Sequence, residues 1–305
     1  MILASSFLTT KNRNHHLKTM LVTLFATSLT LFARSGLAQV PQEKALLWEV
    51  AGPGLDQPSY LFGTFHLLCA SDIEPSETLR AKLAATQALC LELDFSDPAL
   101  VGQMMQQAPM RGDTSLAHFF SEATYEQLSS DFERFTGAPL QFMARMKPYL
   151  LMPMLMMPLL QCEVKGWEQT LVDHAAEQGI GVKALETVAD QMAIFDAIPY
   201  RLQAEQLQKS LESTDSLASA MKEMIALYKQ EDIVKLYQLV TEEPTLRSYS
   251  GLLLDERNER WIPMIGEQAR LAPTFFAVGA GHLGGEKGVI NLLRQAGYTV
   301  SPVAQ

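Results

Sequence analysis

The fold is decided by the stretch YLFGTFHLLCASDIEPSETLRAKLAATQALCLELD at residues 60–94. Residues 60–62 form a short apolar run that stops at Gly63, and this pattern predicts a β-strand. Ser76 precedes a helical pattern and is the kind of residue that caps a helix N-terminus. The apolar run 88–94 predicts a second strand. A strand, a helix and a second strand in this order predict one unit of a parallel sheet.

The end of the chain repeats this plan. Residues 274–278 form an apolar run that ends at Gly279, and residues 286–295 have a helical pattern closed by Gly297. Residues 298–303 then predict another strand. Two similar strand–helix–strand units therefore bracket the chain.

The middle of the chain is mainly helical. The predicted helices span residues 97–108, 121–136 and 167–178, followed by several between 200 and 270, and a strand at 181–185 interrupts them. The prediction is an α/β fold in which duplicated strand–helix–strand units form a mostly parallel sheet. The helical insertion is expected to act as a cap.

Composition limits the class of protein. The chain has 24 Lys and Arg against 34 Asp and Glu, a net charge of −10, which makes a nucleic-acid partner improbable. At 48% hydrophobic residues the chain can bury a large core. No linker-like segment follows the first forty residues, so residues 39–305 are predicted to form a single domain.

The first 38 residues have the pattern of a secretory signal. They carry basic but no acidic residues, and the apolar stretch 20–33 is too short and too rich in threonine to span a bilayer. Small residues place the predicted cleavage between Ala38 and Gln39, and Met20 is an alternative start. The expected location is extracytoplasmic, periplasmic or secreted, without a stable membrane anchor after cleavage.

Three cysteines remain after the predicted cleavage, an odd number for an oxidising compartment. A Cys69–Cys162 disulfide is the favoured pairing, with Cys90 as a buried thiol inside an apolar run. The alternative is three free, buried thiols. The unpaired cysteine leaves the oligomeric state open.

Two matched motifs place histidines after strand ends. Gly63 to His66 and Gly279 to His282 both have the form Gly-x-x-His. Glycine permits a sharp turn or a close approach of the backbone, and ligands bind at the carboxyl edge of parallel sheets. The two histidines are therefore expected to converge.

Glu92 lies between two leucines in the second predicted strand, which is expected to neighbour the strand that ends at Gly63. A carboxylate buried there needs a metal or a charged partner. Two histidines and a carboxylate form an ordinary ligand set for a divalent metal. A buried ion pair is the alternative.

These residues also carry a family resemblance. The resemblance rests on the paired Gly-x-x-His motifs, the strand ALCLELD at 88–94, the run DERN at 255–258 followed by Trp261, and FFAVGAGHLGGEKGVINLL at 275–293. Together they resemble the TraB/GumN family, which is related to the animal Tiki proteins and more distantly to the erythromycin esterase and ChaN haem-binding groups. The resemblance covers essentially the whole chain after the signal and implies a duplicated α/β fold.

By analogy with Tiki, the resemblance implies a metal-dependent peptidase. His66, His282 and Glu92 would bind the metal, with Mn(II) or Co(II) favoured and Zn(II) possible. Arg257, expected to stabilise the developing oxyanion, and Asn258 match the family's Arg-Asn pair.

Two further carboxylates enter the expected site. Glu186 follows its predicted strand directly and is a candidate ligand or general base, so that Glu92, Arg257 and Glu186 are the expected catalytic residues. Many relatives have an aspartate near Gly166, and here that acidic role would pass to Glu168. The substrate would be a peptide or a small molecule. The alternatives are a non-catalytic binder that sequesters a peptide signal or a haem-like ligand, and a hydrolase fold that has lost its metal.

Overall fold

A computed structural model describes residues 41–242 and 247–305 of the chain. The predicted signal segment, its cleavage site and Met20 lie outside these residues. The described part of the chain belongs to one compact unit. Within it, no helix is long and apolar enough to cross a membrane.

A sheet of six strands dominates the described residues, and a two-stranded ladder accompanies it. The strands are β1 (Leu47–Ala51), β2 (Ser59–Thr64), β3 (Leu68–Cys69), β4 (Ala88–Leu91), β5 (Val164–Lys165), β6 (Gly181–Ala184), β7 (Thr274–Gly279) and β8 (Thr299–Pro302). The large sheet has the order β6-β4-β7-β2-β1-β8, and β3 pairs with β5. β6, β4, β7 and β2 are mutually parallel, whereas β1 runs antiparallel to both of its neighbours. The predicted α/β fold with a mostly parallel sheet is confirmed.

Helices connect and cover these strands. They are α1 (Glu77–Ala84), α2 (Leu100–Gln107), α3 (Glu122–Thr136), α4 (Met152–Leu160), α5 (Trp167–Glu177), α6 (Val188–Ala197), α7 (Tyr200–Glu212), α8 (Thr214–Lys229), α9 (Ile233–Glu242), α10 (Glu256–Leu271) and α11 (Val289–Gln295). A π-helical turn at Gly251–Asp255 leads directly into α10.

The apolar side chains divide into clusters. The largest surrounds the sheet, where every residue of β2 is buried and Phe275 and Phe276 of β7 are fully enclosed. A second cluster lies among the inserted helices and includes Leu128, Phe132 and Leu155. The insertion therefore has a core of its own, because its amphipathic helices bury their apolar faces against one another.

Several local predictions are confirmed. Ser76 caps α1 by accepting a hydrogen bond from the backbone N–H of Leu79 at 3.1 Å. Gly137 ends α3 in the left-handed region, with φ of 74°. The Cys69–Cys162 disulfide is present, and Cys90 is a buried free thiol.

The sheet order corrects other predictions. β4 does not neighbour β2, because β7 lies between them. β4 ends at Leu91, so Glu92 follows the strand instead of lying within it. β8, predicted only as a strand, pairs with β1 at the far edge. The helix predicted from residue 97 begins at Leu100, since the Asp97 carboxylate accepts the backbone N–H of Ala99 in a preceding turn.

Candidate active site

The carboxyl ends of four adjacent parallel strands supply the predicted site residues. Glu186 follows β6, Glu92 follows β4, His282 follows β7 and His66 follows β2. This edge is where open α/β sheets bind ligands. Strand order thus gathers residues that are up to 216 positions apart in sequence.

The glycine of the first motif makes room for the second motif. A Cβ on Gly63 would lie 2.8 Å from Leu283 Cδ1 and 3.1 Å from Ala280 Cβ, so a larger residue would force the two loops apart. Neither Gly63 nor Gly279 has a positive φ. Close approach, and not a sharp turn, is the reason for glycine at Gly63.

Gly279 lies beneath the polar side chains of the site. A Cβ placed on it would lie 3.4 Å from Glu92 Oε1, 3.6 Å from His282 Cδ2 and 3.9 Å from His66 Nε2. Its backbone N–H donates to Glu92 Oε1 at 2.8 Å. The structure therefore brings both imidazoles and the Glu92 carboxylate to one place.

Arg257, from the first turn of α10, connects these residues. Its Nη2 donates to Glu92 Oε2 at 2.5 Å and to Glu186 Oε2 at 2.9 Å, while Nε donates to Glu186 Oε1 at 3.0 Å. Nη1 contacts His282 Nε2 at 3.0 Å and donates to the Leu253 carbonyl at 3.1 Å. Every guanidinium N–H of Arg257 thus has a partner among the described residues.

Charge pairing fixes the protonation of this network. Burial opposes ionisation of Glu92, but the Arg257 guanidinium, both imidazoles and the Gly279 N–H hold its pKa well below the usual range. Burial likewise opposes the charge on Arg257, whereas Glu92 and Glu186 raise its pKa. Both groups are charged at neutral pH, and each is only 8% exposed.

His282 is buried and neutral. Burial and the neighbouring Arg257 lower its pKa to about 3, although Glu92 opposes the shift. Its Nδ1 lies 2.6 Å from Asn258 Oδ1, and the Asn258 Nδ2 donates to the Lys287 carbonyl at 2.9 Å. Trp261 packs against the imidazole with ring centroids 4.6 Å apart.

His66 is the accessible member of the site. Its side chain is 60% exposed, and its Nδ1 lies 2.8 Å from Oε1 of the buried Glu168. The contact is an ion pair and not a well-aligned hydrogen bond, since Glu168 Oε1 has no hydrogen-bond partner among the described residues. Partial desolvation opposes protonation, but the Glu168 and Glu92 carboxylates raise the pKa of His66 to about 9.

Local structure explains why Glu168 faces His66. The β3–β5 ladder and the Cys69–Cys162 disulfide join the chain after His66 to the chain before α5. Gly166 then begins α5, and a Cβ there would lie 2.9 Å from the His66 carbonyl oxygen and 2.8 Å from Glu168 Oε2. Glu168 occupies the first turn of α5, where the helix dipole favours a carboxylate.

A cavity of about 60 Å³ opens beside His66. Its lining comprises His66, Glu92, Leu93, Phe95, Glu168, Gln191 and Ala277. Gln191, from α6, donates to Glu92 Oε2 at 3.3 Å. The cavity has both polar and apolar lining residues, and it is smaller than the roughly 300–1,000 Å³ that is typical of small-molecule sites.

The sequence prediction missed two polar residues of this site. Gln191 lies within an ordinary helical pattern and carries no local signal. Arg260, one turn after Arg257 on α10, places Nη2 3.3 Å from Glu186 Oε1. The three-residue spacing puts both arginines near one helix face, so that spacing was a usable signal.

The family resemblance implies a divalent metal bound by His66, His282 and Glu92. In residues 41–242 and 247–305, no group of three His, Cys, Asp or Glu side chains is arranged as metal ligands. Arg257 already occupies His282 Nε2 and Glu92 Oε2. The residues in this arrangement do not fit a divalent metal. The metal implied by the resemblance therefore stays a prediction.

Comparison with known proteins places this geometry in a family. The sequence matches the TraB/PrgY/gumN family over residues 46–302. It is similar to the "Metalloprotease TIKI2" of Danio rerio, at 22% identity over a 314-residue alignment that includes 84% of this chain. The chain spans 60% of the length of that relative. No solved structure matches the chain. Because the family match extends over most of the sequence, this chain belongs to the TraB/PrgY/gumN family.

Proposed function

We propose that the chain is a hydrolase that cleaves peptide bonds and that His66 transfers protons in the reaction. One observation carries the proposal: His66 Nε2 has no hydrogen-bond partner among the described residues, while Glu168 holds Nδ1 at 2.8 Å. An accessible imidazole oriented by a buried carboxylate is the arrangement that general acid–base catalysis uses.

The chemistry follows from the two ring nitrogens. Neutral His66 accepts a proton at Nε2 from the attacking water, and the Glu168 carboxylate stabilises the imidazolium that forms. The imidazolium then donates this proton to the leaving amine. His66 is the catalytic residue in this proposal, and Glu168 is a positioning residue.

The expected catalytic roles of Glu92, Arg257 and Glu186 change in this proposal. Arg257 has no N–H left for an oxyanion, and both Glu186 oxygens contact arginine. We assign these three residues to the floor of the site, where they hold one another in place. Arg260 is 55% exposed and binds through one nitrogen only, so it has donors left for a substrate oxygen.

Two considerations support a peptide as the substrate. The similar protein from Danio rerio is named as a metalloprotease, and the predicted signal would deliver this chain to an extracytoplasmic compartment. A small-molecule ester or amide would use the same chemistry. No step of the proposal uses a metal.

The test is digestion of a peptide library by the purified chain without its predicted signal. His66→Gln should lower kcat roughly 100-fold or more, because general acid–base catalysis contributes about that much. His174→Gln is the matched control, since His174 contacts Glu177 at 3.2 Å on the same helix as Glu168 but outside the site. Full activity of the His66 variant would refute the proposal, and tight peptide binding without cleavage would favour the binder.

A further inference from the structure

The guanidinium of Arg257 lies among the donors that the family resemblance assigns to a metal. Nη1 is 3.0 Å from His282 Nε2, and Nη2 is 2.5 Å from Glu92 Oε2. A metal bound by the same imidazole and carboxylate would need those two atoms. The two cations therefore compete for one set of donors.

The tautomer of His282 directs its lone pair towards Arg257. Asn258 Nδ2 donates to the Lys287 carbonyl, so Asn258 Oδ1 faces the imidazole and accepts its Nδ1–H at 2.6 Å. The proton lies on Nδ1, and Nε2 accepts from Arg257. His282 thus has no nitrogen left for a metal while Arg257 is in place.

Arg257 is also anchored outside the donor set. Three of its contacts go to Glu186, and another goes to the Leu253 carbonyl within the π-helical turn. Its guanidinium carbon lies 4.8 Å from the Trp261 ring centroid. Departure of Arg257 would leave two buried carboxylates without their main partner, which is strongly unfavourable.

The balance of charges around Arg257 also opposes binding of a divalent metal. Arg257 and Arg260 face Glu92 and Glu186, so the positive and negative charges of this network already cancel. A divalent cation would add two positive charges in contact with a guanidinium. Nothing in the network compensates for that addition.

We propose that Arg257 is the resident cation of this site and closes a latent metal site formed by His66, His282 and Glu92. Removal of the guanidinium frees His282 Nε2 and Glu92 Oε2. The side chains of His282, Glu92 and His66 all approach Gly279. The wild-type chain then binds no divalent metal here, and a variant without Arg257 does.

The test measures Co²⁺ and Mn²⁺ binding by calorimetry and thermal melting, with the visible absorption of Co²⁺ as a direct signal. The informative variant is Arg257→Met with Glu186→Gln, since methionine keeps the packing on Trp261 and the second change removes the unpaired charge. It should bind one equivalent of Co²⁺ where the wild type shows none, and any residual affinity of the wild type should be lower by roughly 10-fold or more. His282→Ala added to this variant should abolish the binding.

Arg260→Ala is the matched control, because Arg260 also contacts Glu186 but lies outside the donor set. Like the wild type, this variant should bind neither Co²⁺ nor Mn²⁺ at this site. One equivalent of metal in the wild type, lost in His66→Ala and in Glu92→Gln, would overturn the proposal. A folded Arg257→Met, Glu186→Gln variant that binds no metal would overturn it too. If that variant does not fold, Arg257→Gln with Glu186→Gln, which also removes the cation, is melted with and without Co²⁺ in its place, and the same two outcomes decide. None of these measurements uses hydrolysis, so the proposed activity is tested separately.

Discussion

The two motif histidines have opposite chemical states although their sequence contexts match. His282 is 5% exposed and both of its ring nitrogens are occupied. His66 is exposed through 60% of its side chain and has one nitrogen open. The difference comes from α10, which brings Arg257 and Asn258 to the second motif. A histidine whose two ring nitrogens both have partners supports the site, whereas a histidine with one open nitrogen can react.

Glu168→Gln should move the pH–rate profile. Against the effect of burial, Glu168 together with Glu92 raises the pKa of His66 to about 9, so the wild-type rate should increase with pH up to that value as His66 becomes a free base. The neutral amide removes this effect, and the rising limb should shift towards the ordinary histidine pKa, about 6.5. The measurement is kcat against pH, with KM followed in parallel.

Glu177→Gln serves as the control for this shift, because Glu177 contacts His174 in a similar pair on the protein surface. Its pH profile should match that of the wild type. A Glu168→Gln profile that keeps its rising limb near pH 9 would mean that Glu168 does not set the proton affinity of His66.

Gly166→Ala should disturb the same pair sterically. The added methyl group would meet the His66 carbonyl oxygen at 2.9 Å, and this backbone atom cannot yield easily. Overpacking of this kind costs about 1–3 kcal/mol of unfolding free energy. We expect urea denaturation to show that loss and kcat to fall, because a displaced Glu168 no longer orients the His66 imidazole.

Gly102→Ala is the comparison for Gly166→Ala. Gly102 lies within α2, and a Cβ there meets nothing within 4 Å. It should leave activity unchanged and stabilise slightly, since alanine restricts the unfolded chain. Equal stability of the Gly166 variant and the wild type would show that the turn before α5 relaxes without cost.

Local sequence signals predicted individual elements better than their arrangement. Ser76 and Gly137 lie where helix capping requires them, and Gly63 lies where close approach requires a glycine. The insertion of β7 between β4 and β2 depends on contacts between distant segments, and no local pattern records it. The pairing of β8 with β1 is not recorded either, because a strand pattern does not specify which neighbour the strand joins.

At the site too, local sequence signals identify individual residues but not the contacts between them. Strand-end patterns point to His66, Glu186 and His282, and a carboxylate between two leucines points to Glu92. The structure places all four at one edge of the sheet. The ion pair between Glu92 and Arg257 was only one of two alternatives. Choosing between them requires knowing where α10 lies, and that depends on the tertiary packing.

The Cys69–Cys162 disulfide is expected to stabilise the elements that carry His66 and Glu168. It links β3 to the segment before β5 across 93 residues, and a loop of that size corresponds to about 4.7 kcal/mol of chain entropy. Replacement of both cysteines by serine should lower the unfolding free energy by a large part of that amount. It should also lower kcat, since the turn between β5 and α5, which positions Glu168, is no longer held by the disulfide.

Reduction of the wild type supplies an internal control for the serine variant. A reducing agent should destabilise the wild type to the same extent and leave the double variant unchanged, because the buried thiol of Cys90 is present in both. Destabilisation of the double variant by the reductant would indicate another redox-sensitive group. Unchanged kcat in the double variant would restrict the disulfide to a stabilising role.

The central sheet is apolar along its strands and carries charged residues at the carboxyl ends of its parallel strands. Its strands enclose side chains such as Leu61, Phe62 and Phe276, all at 1% exposure or less. Glu92, Glu186 and Arg257 are buried directly next to this frame. Burial of charges requires pairing, so global stability and site protonation are coupled.

This coupling predicts a stability maximum near pH 6.5. His66 has its pKa raised from 6.5 to about 9 in the folded state, so its contribution is complete below pH 6.5 and is lost as the pH rises through 9. His282 has its pKa lowered from 6.5 to about 3, so its contribution is complete above pH 6.5 and is lost as the pH falls towards 3. Urea denaturation between pH 4 and 10 should therefore show a decline on both sides.

Variants separate the two sides of the curve. His66→Asn removes the group that titrates on the alkaline side, so its unfolding free energy should change less between pH 7 and 9 than that of the wild type. The acid side should remain, because the contribution of His282 is intact in this variant. His174→Asn, at a histidine outside the site, should reproduce the wild-type curve. An alkaline decline of equal slope in the wild type and in His66→Asn would show that Glu168 does not hold a proton on His66 in the folded chain, and the proposed orientation of the imidazole by Glu168 would lose its electrostatic basis.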